Sequence, residues 1–315
     1  MTNERVLITG GAGFIGRALV ARCLTEGHRV TVLDNLSTGR LDHLAPFMDA
    51  IDFRQVDILD SHHLHDAMAD VRPNIVWHLA AHHFIPFCDA HPIETMRLNV
   101  EGTHRVLHEA ARRGVRIAVV ASSGVLYPSQ DGDLNEDIEP VPADVYGLSK
   151  LLSEQVARFF ATTTSLACVA ARLFNTFGPY ETNPHLIPHI VASLHQGGPV
   201  RLGNIHTRRD YIHVDDVADL LHGIARSCRE KFTLVNVGTG LEHSARDILD
   251  TMAELLGRPI DIDVDPDRVR RADKLHQRAD TRRLHSLTGM RAKYSLAEGL
   301  RHLLAHESLL PASVS

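Results

Sequence analysis

Tyr146 and Lys150 stand four residues apart in Tyr146-Gly147-Leu148-Ser149-Lys150, a spacing that puts both side chains on one face of a helix. A free phenol titrates near ~10, too high for a base at neutral pH. A neighbouring ammonium favours the phenolate and lowers that value. Such a pair can take a proton from a hydroxyl while hydride leaves the same carbon. Ser123 follows the apolar run from Arg116 to Ala121 and can hydrogen-bond the same hydroxyl. A tyrosine and a lysine at this spacing also occur on ordinary helix surfaces. The chain has only four lysines, Lys150, Lys231, Lys274 and Lys293, which makes a chance match less common.

A second constellation opens the chain. Gly10, Gly13 and Gly16 lie in Thr9-Gly10-Gly11-Ala12-Gly13-Phe14-Ile15-Gly16, between an apolar run and a helical pattern. Glycine permits a tight turn and close approach of a pyrophosphate, and the helix N-terminus meets the phosphate charge. Asp34 ends the next β-branched run. A carboxylate there accepts hydrogen bonds from an adenosine ribose and repels a 2′-phosphate, so NAD is expected over NADP. Arg40 nearby could soften that preference, and an ordinary turn aspartate is the bland alternative. Asp57 and His78-Leu79-Ala80-Ala81 end two further runs, where parallel strands open their ligand crevice.

The elements that must position these residues alternate. Strands are expected at Val6–Ile8, Val30–Leu33, Ile51–Val56, Ile75–Leu79, Arg116–Ala121 and Leu166–Leu173. Helices are expected at Phe14–Leu24, Ser61–Val71, Pro92–Arg113 and Tyr146–Ala161. The alternation implies right-handed crossovers and a Rossmann-type α/β fold, a doubly wound parallel sheet. After Asn175 the rhythm loosens into a smaller mixed α/β lobe. The division expected is a cofactor domain over residues 1–174, with 211–243 returning to it. Residues 175–210 and 244–315 would form the substrate-binding lobe. Val214–Arg226 and Ser295–His306 read as helices there, and Phe232–Val237 as a strand.

Bulk properties exclude several classes. The 315 residues are 44% hydrophobic and 23% charged, ordinary for a globular enzyme, and the net charge of -6 offers no field for nucleic acid or an anionic membrane. No apolar run reaches the length of a membrane span. Cys23, Cys88, Cys168 and Cys228 are far apart, so reduced thiols and a cytoplasmic location are expected. The histidine pairs His62-His63, His82-His83, His185/His189 and His302/His306 lack the partners of a recognised metal motif, and no metal is expected.

TGGAGFIG (9–16), DNLSTG (34–39), HLAA (78–81), YGLSK (146–150), RLFNTFGP (172–179) and RRDYIHVDDVA (208–218) together resemble the extended short-chain dehydrogenase/reductase family. The branch they resemble is the nucleotide-sugar epimerases and dehydratases, which includes UDP-galactose 4-epimerase. The resemblance implies a pyrophosphate loop at Gly10, Gly13, Phe14, Ile15 and Gly16, and a ribose anchor at Asp34 and Asn35. It implies adenine contacts at Asp57 and Ile58. Leu79, Ala80, Ala81, His83, Asn99, Ser122 and Phe174 would border the cofactor, together with Tyr146 and Lys150. Ser123, Tyr146 and Lys150 would be catalytic. Asn175, Arg209 and Arg270 would hold a substrate diphosphate, with Ser123 and Tyr146 at the sugar. Surface ion pairing is the plain alternative for Arg270. A homodimer through 92–113 and 144–161 is also implied.

Within that family, 4,6-dehydratases carry an Asp-Glu pair after the active-site hydroxyl residue, and decarboxylases usually keep the glutamate. This chain has Gly124 and Val125. The resemblance therefore points to a UDP-hexose 4-epimerase acting through a 4-keto intermediate. A dehydratase, a ketoreductase, an epimerase at another carbon and a non-catalytic NAD-binding scaffold remain as alternatives. His82-His83-Phe84-Ile85-Pro86-Phe87-Cys88 is an unusual loop, and His83 either approaches the ligands or is a solvated loop residue.

Overall fold

The computed structural model describes residues 3–130, 132–265 and 275–310. Its first half runs β1 (Arg5–Thr9), α1 (Phe14–Thr25), β2 (Arg29–Asp34), β3 (Ile51–Gln55), α2 (Ser61–Val71) and β4 (Ile75–His78). It continues α3 (Ile85–Ala90), α4 (Pro92–Met96), α5 (Thr103–Arg112), β5 (Ile117–Ser123), β6 (Asp133–Leu134), α6 (Val145–Thr163) and β7 (Ala167–Leu173). The second half runs β8 (Asn175–Phe177), α7 (Leu186–Gln196), β9 (Val200–Leu202), β10 (Arg208–His213), α8 (Val214–Ser227), β11 (Phe232–Val237) and β12 (Glu242–Ser244). It ends α9 (Ala245–Leu256), β13 (Ile262–Val264), β14 (Arg278–Ala279), α10 (Arg282–Thr288) and α11 (Leu296–His306).

Seven strands form one sheet in the order β11-β7-β5-β4-β1-β2-β3, every pairing parallel. The inner strands β1, β4 and β5 carry continuous apolar runs because both faces are covered, whereas edge strand β3 does not. In β1, Val6 and Ile8 join the core under α1 and α8, while Leu7 joins the core under α2, α5 and α6. β5 divides likewise, Ile117 and Val119 to one side, Ala118 and Val120 to the other. The strand order reverses beside β1, where β2 and β4 flank it, so the ligand crevice opens at the carboxyl ends of these strands.

Val214–Ser227 and Phe232–Val237 lie with this sheet, β11 pairing in parallel with β7. A separate apolar core joins β8, α7, β9, α9 and α11. Phe177, Ile190, Val200, Ile248, Met252, Leu300 and Leu304 meet there, away from the main sheet. β8 and β12 flank β10 in a small mixed sheet.

The expected helix from Pro92 to Arg113 runs unbroken over residues 92–112, but it is not α-helical throughout. Residues Arg97–Gly102 between α4 and α5 wind as a π turn. Two hydroxyls hold the freed carbonyl of Asn99, Thr103 Oγ1 at 2.5 Å and Ser153 Oγ at 2.8 Å. Such bulges cluster near functional sites because they re-aim a side chain. The helix α3 is not expected from the sequence; its six residues are too few to display a period. All four cysteines are buried free thiols. Among the described residues, no helix is long and apolar enough to cross a membrane.

Candidate active site

A cleft of about 740 Å3 lies over the carboxyl ends of the strands, within the range of small-ligand sites. Its floor is the β1–α1 loop. Gly10 sits at φ +72°, and a Cβ there would stand 2.7 Å from the Ala80 amide nitrogen. At Gly16 a Cβ would meet the Gly10 carbonyl oxygen at 2.1 Å. The loop can close only around glycine. Phe14 and Ile15 line the cleft at the start of α1, where first-turn amides have no acceptor within the helix. These groups fit a dinucleotide's pyrophosphate. Replacing Gly16 by alanine forces backbone apart, an overpacking cost of about 1–3 kcal/mol. We expect at least a ~10-fold loss of bound NAD, measured by extracting nucleotide from the purified protein.

Asp34 is buried at the end of β2 and accepts the amides of Ala12 (2.9 Å) and Leu36 (2.8 Å). Burial raises its carboxyl above the usual range, and these two bonds oppose that shift. Asn35 joins it in lining the cleft. Arg40 forks onto Asp42 at 3.1 and 2.6 Å, so its charge is already engaged by a neighbouring carboxylate.

α6 delivers the acid-base pair. Asp144 caps the helix by accepting the Gly147 amide at 2.7 Å, which fixes Tyr146 in the first turn. The Tyr146 hydroxyl and the Ser123 side chain face the same cleft. Burial pushes the phenol up to about 12, with the nearby Ser123 side chain opposing. Lys150 donates to the Ala121 carbonyl at 2.9 Å, and burial pushes its ammonium down to about 8. Its nitrogen lies 5.8 Å from the Tyr146 ring centre.

Beneath the pair lies a buried ion pair that the sequence does not reveal. Glu154, one turn beyond Lys150 on α6, takes Arg172 of β7 through two bonds of 2.8 Å. Ser122 donates to the same carboxylate at 2.5 Å. The Arg172 guanidinium also stacks 4.7 Å from the Tyr127 ring centre. Arg172 holds Glu154, so Lys150 keeps its ammonium directed to the cleft and not to its own helix.

Most of the expected site residues come together here. Gly10, Gly13, Phe14, Ile15, Gly16, Asp34, Asn35, Ile58, Leu79, Ala80, Ala81 and His83 all line the cleft. So do Ser122, Ser123, Tyr146, Lys150, Phe174, Asn175 and Arg209. Two do not. Asp57 accepts from Asn35 Nδ2 at 3.3 Å and so orients a cleft residue. Asn99 is buried; it holds both backbone groups of His82 and the Ser149 hydroxyl, each at 2.8 Å. Both brace residues that face the cleft. Arg270 lies outside the described residues.

His83 points into the cleft, and its Nε2 meets Asn183 Nδ2 at 2.8 Å. Gln277, unforeseen, donates to the Gly124 carbonyl at 2.7 Å and lines the cleft. Nothing in its local sequence marks it. His302, expected on a helix face, meets His213 Nε2 at 3.2 Å, while His213 Nδ1 accepts the Asp215 amide at 3.2 Å. That arrangement caps α8 and ties α11 to it.

The model of the NAD dependent epimerase/dehydratase family matches residues 6–238. A UDP-glucose 4-epimerase of Mycolicibacterium smegmatis is 33% identical over 312 residues, covering 94% of this chain and 96% of that protein. A GDP-6-deoxy-D-mannose reductase of Pseudomonas aeruginosa is 27% identical over 319 residues, covering 96% and 97%. The solved UDP-glucose 4-epimerase of Thermus thermophilus, in complex with NAD, superposes with a TM-score of 0.88 at 30% identity, covering 96% and 99%. The chain therefore belongs to the NAD dependent epimerase/dehydratase family, with NAD as its cofactor.

Proposed function

We propose that the protein is a 4-epimerase of a UDP-hexose. The observation that carries this reading is Ser123, Tyr146 and Lys150 lining one cleft, with Gly124 and Val125 where an eliminating enzyme needs an acid and a base. Residues 1–174 with 211–243 would hold the cofactor, and 175–210 with 244–315 the nucleotide sugar. Bound NAD supplies a reversible hydride acceptor. Tyr146 takes the C4 hydroxyl proton as the carbon is oxidised, with Ser123 bonded to the same oxygen. Lys150 stabilises the phenolate by charge. Asn175 and Arg209 hold the diphosphate, a fork well suited to phosphate oxygens. The keto sugar turns, and Tyr146 returns the proton when hydride arrives on the other face. Two relatives at similar coverage are an epimerase and a reductase, so the product decides between them.

The deciding experiment is incubation with UDP-glucose, followed by proton NMR and absorbance of reduced cofactor. UDP-galactose should form without net NADH. Steady NADH accumulation, or a stable keto sugar, would overturn the reading.

Lys150 also sets a pH limit. Its ammonium is full below about 8 and is lost as pH rises through that value. We expect kcat/KM to fall on the alkaline side with an apparent midpoint near 8. A profile flat through that range would show that the Lys150 charge does not support the phenolate.

A further inference from the structure

One carboxyl in the cleft takes no part in this proton transfer. Glu181 lines the same cleft as Tyr146 and Ser123, and its side chain is only 7% exposed. Among the described residues its polar neighbour is His185 Nε2 at 3.8 Å, beyond hydrogen-bond length. Three other buried carboxylates are saturated. Asp210 accepts the Thr239 and Gly240 amides at 2.9 and 2.8 Å. Asp216 accepts those of Lys293 and Tyr294, both at 2.9 Å. Glu154 has Arg172 and Ser122. Glu181 instead faces the cleft with no hydrogen-bond donor among the described residues, which leaves it open to a ligand there. Burial without a compensating donor pushes the Glu181 carboxyl up to about 8.

The backbone places Glu181 deliberately. Tyr180, just before it, sits at φ +72°, a left-handed conformation that an aromatic residue rarely adopts. The Arg17 guanidinium covers the Tyr180 ring at 3.7 Å, and the His43 and His306 rings approach at 5.2 and 4.4 Å. Tyr180 is thus pinned from α1, from the 41–50 segment and from α11. Strain of this kind persists only where surrounding structure enforces it, and it concentrates at ligand sites.

The neighbours of Glu181 lead back to the acid-base centre. His185 lies 6.2 Å from His83, ring centre to ring centre, and 5.8 Å from Phe84. His83 is close enough to Lys150 for the ammonium to depress its pKa, after enclosure and the His185 charge. A carboxyl held up to about 8 is largely protonated at neutral pH, so it can both accept from and donate to the ring hydroxyls of a sugar. Ionised diphosphate oxygens only accept, so they meet only its O–H and repel its ionised form.

We propose that Glu181 is a specificity-determining residue whose carboxyl accepts hydrogen bonds from hydroxyls of the sugar ring, selecting a neutral hexose. The proposal rests on the nucleotide-sugar reading of the cleft. Its test is calorimetric binding of UDP-glucose and of UDP to the NAD-bound enzyme, for the wild type, Glu181→Gln and Glu181→Leu. Glu181→Leu should weaken UDP-glucose by about 10-fold, the scale of leaving a buried hydrogen-bonding partner unpaired, and UDP by less than about 2-fold. The isosteric Glu181→Gln keeps one accepting oxygen and should fall between. Equal losses for both ligands, or no loss for UDP-glucose, overturn the proposal. A wild type that binds neither ligand defeats the nucleotide-sugar reading instead. Glu181→Gln preserves size and packing, so its result stands even if the leucine variant fails to fold.

Discussion

Tyr146→Phe should remove almost all turnover, about 10^2–10^4-fold in kcat, the range for loss of a positioned general acid-base group. The ring keeps its place, because α6 is set by the Asp144 cap and by packing, and the hydroxyl makes no contact that fixes the helix. Binding of NAD and of UDP should therefore survive. Calorimetry on the variant, beside stopped-flow detection of cofactor reduction, separates the two effects. Retention of more than about one tenth of the wild-type rate would mean that another group moves the proton. Glu181, in the same cleft and held up to about 8, would then be the first candidate.

The second large effect concerns stability. Arg172→Met leaves the Glu154 carboxylate in a core position with Ser122 as its remaining strong partner. Breaking one side of a buried pair costs about 3–5 kcal/mol. The melting temperature should fall by several degrees, on the order expected for a chain of this size. Glu154→Gln in the same background should restore part of the loss, since the buried charge is then gone. A further consequence separates this pair from ordinary packing. With Arg172 absent, Glu154 is free to attract Lys150 one turn away, so kcat should fall more than substrate affinity. An Arg172→Met enzyme as stable and active as the wild type would show that the pair supports neither the fold nor the site.

Parts of the fold and site are legible in the sequence because their signals are local. The inner strand runs are continuous and apolar, and the others are rich in β-branched or aromatic residues, so all seven sheet strands, including Phe232–Val237, stand out before any pairing is known. Ser61–Val71 is readable because its period is regular and it follows Asp60, which accepts the His62 and His63 amides. The helix over 92–113 reads as continuous because its hydrophobic period survives a π turn. The inserted residue is compensated by Thr103 and Ser153, and Ser153 lies on another helix. The placement of Asn99 follows the same logic. Its residue type matches a motif, but its partners are the His82 backbone and Ser149, both remote in sequence.

What the sequence by itself determined is the set of short-range devices. The glycine spacing at 10, 13 and 16, the carboxylate at 34 and the helical interval between Tyr146 and Lys150 each follow from the geometry of one turn or one strand end. Only the tertiary structure decided what surrounds them. Glu154 meets Arg172, Gln277 meets Gly124, and the loop at Glu181 closes toward His83, because the sheet brings distant strand ends to one edge. Such contacts depend on crossover direction and packing, not on any period within a segment. Proton-transfer chemistry could thus be read along the chain, while the groups that surround it come together only when the chain is folded.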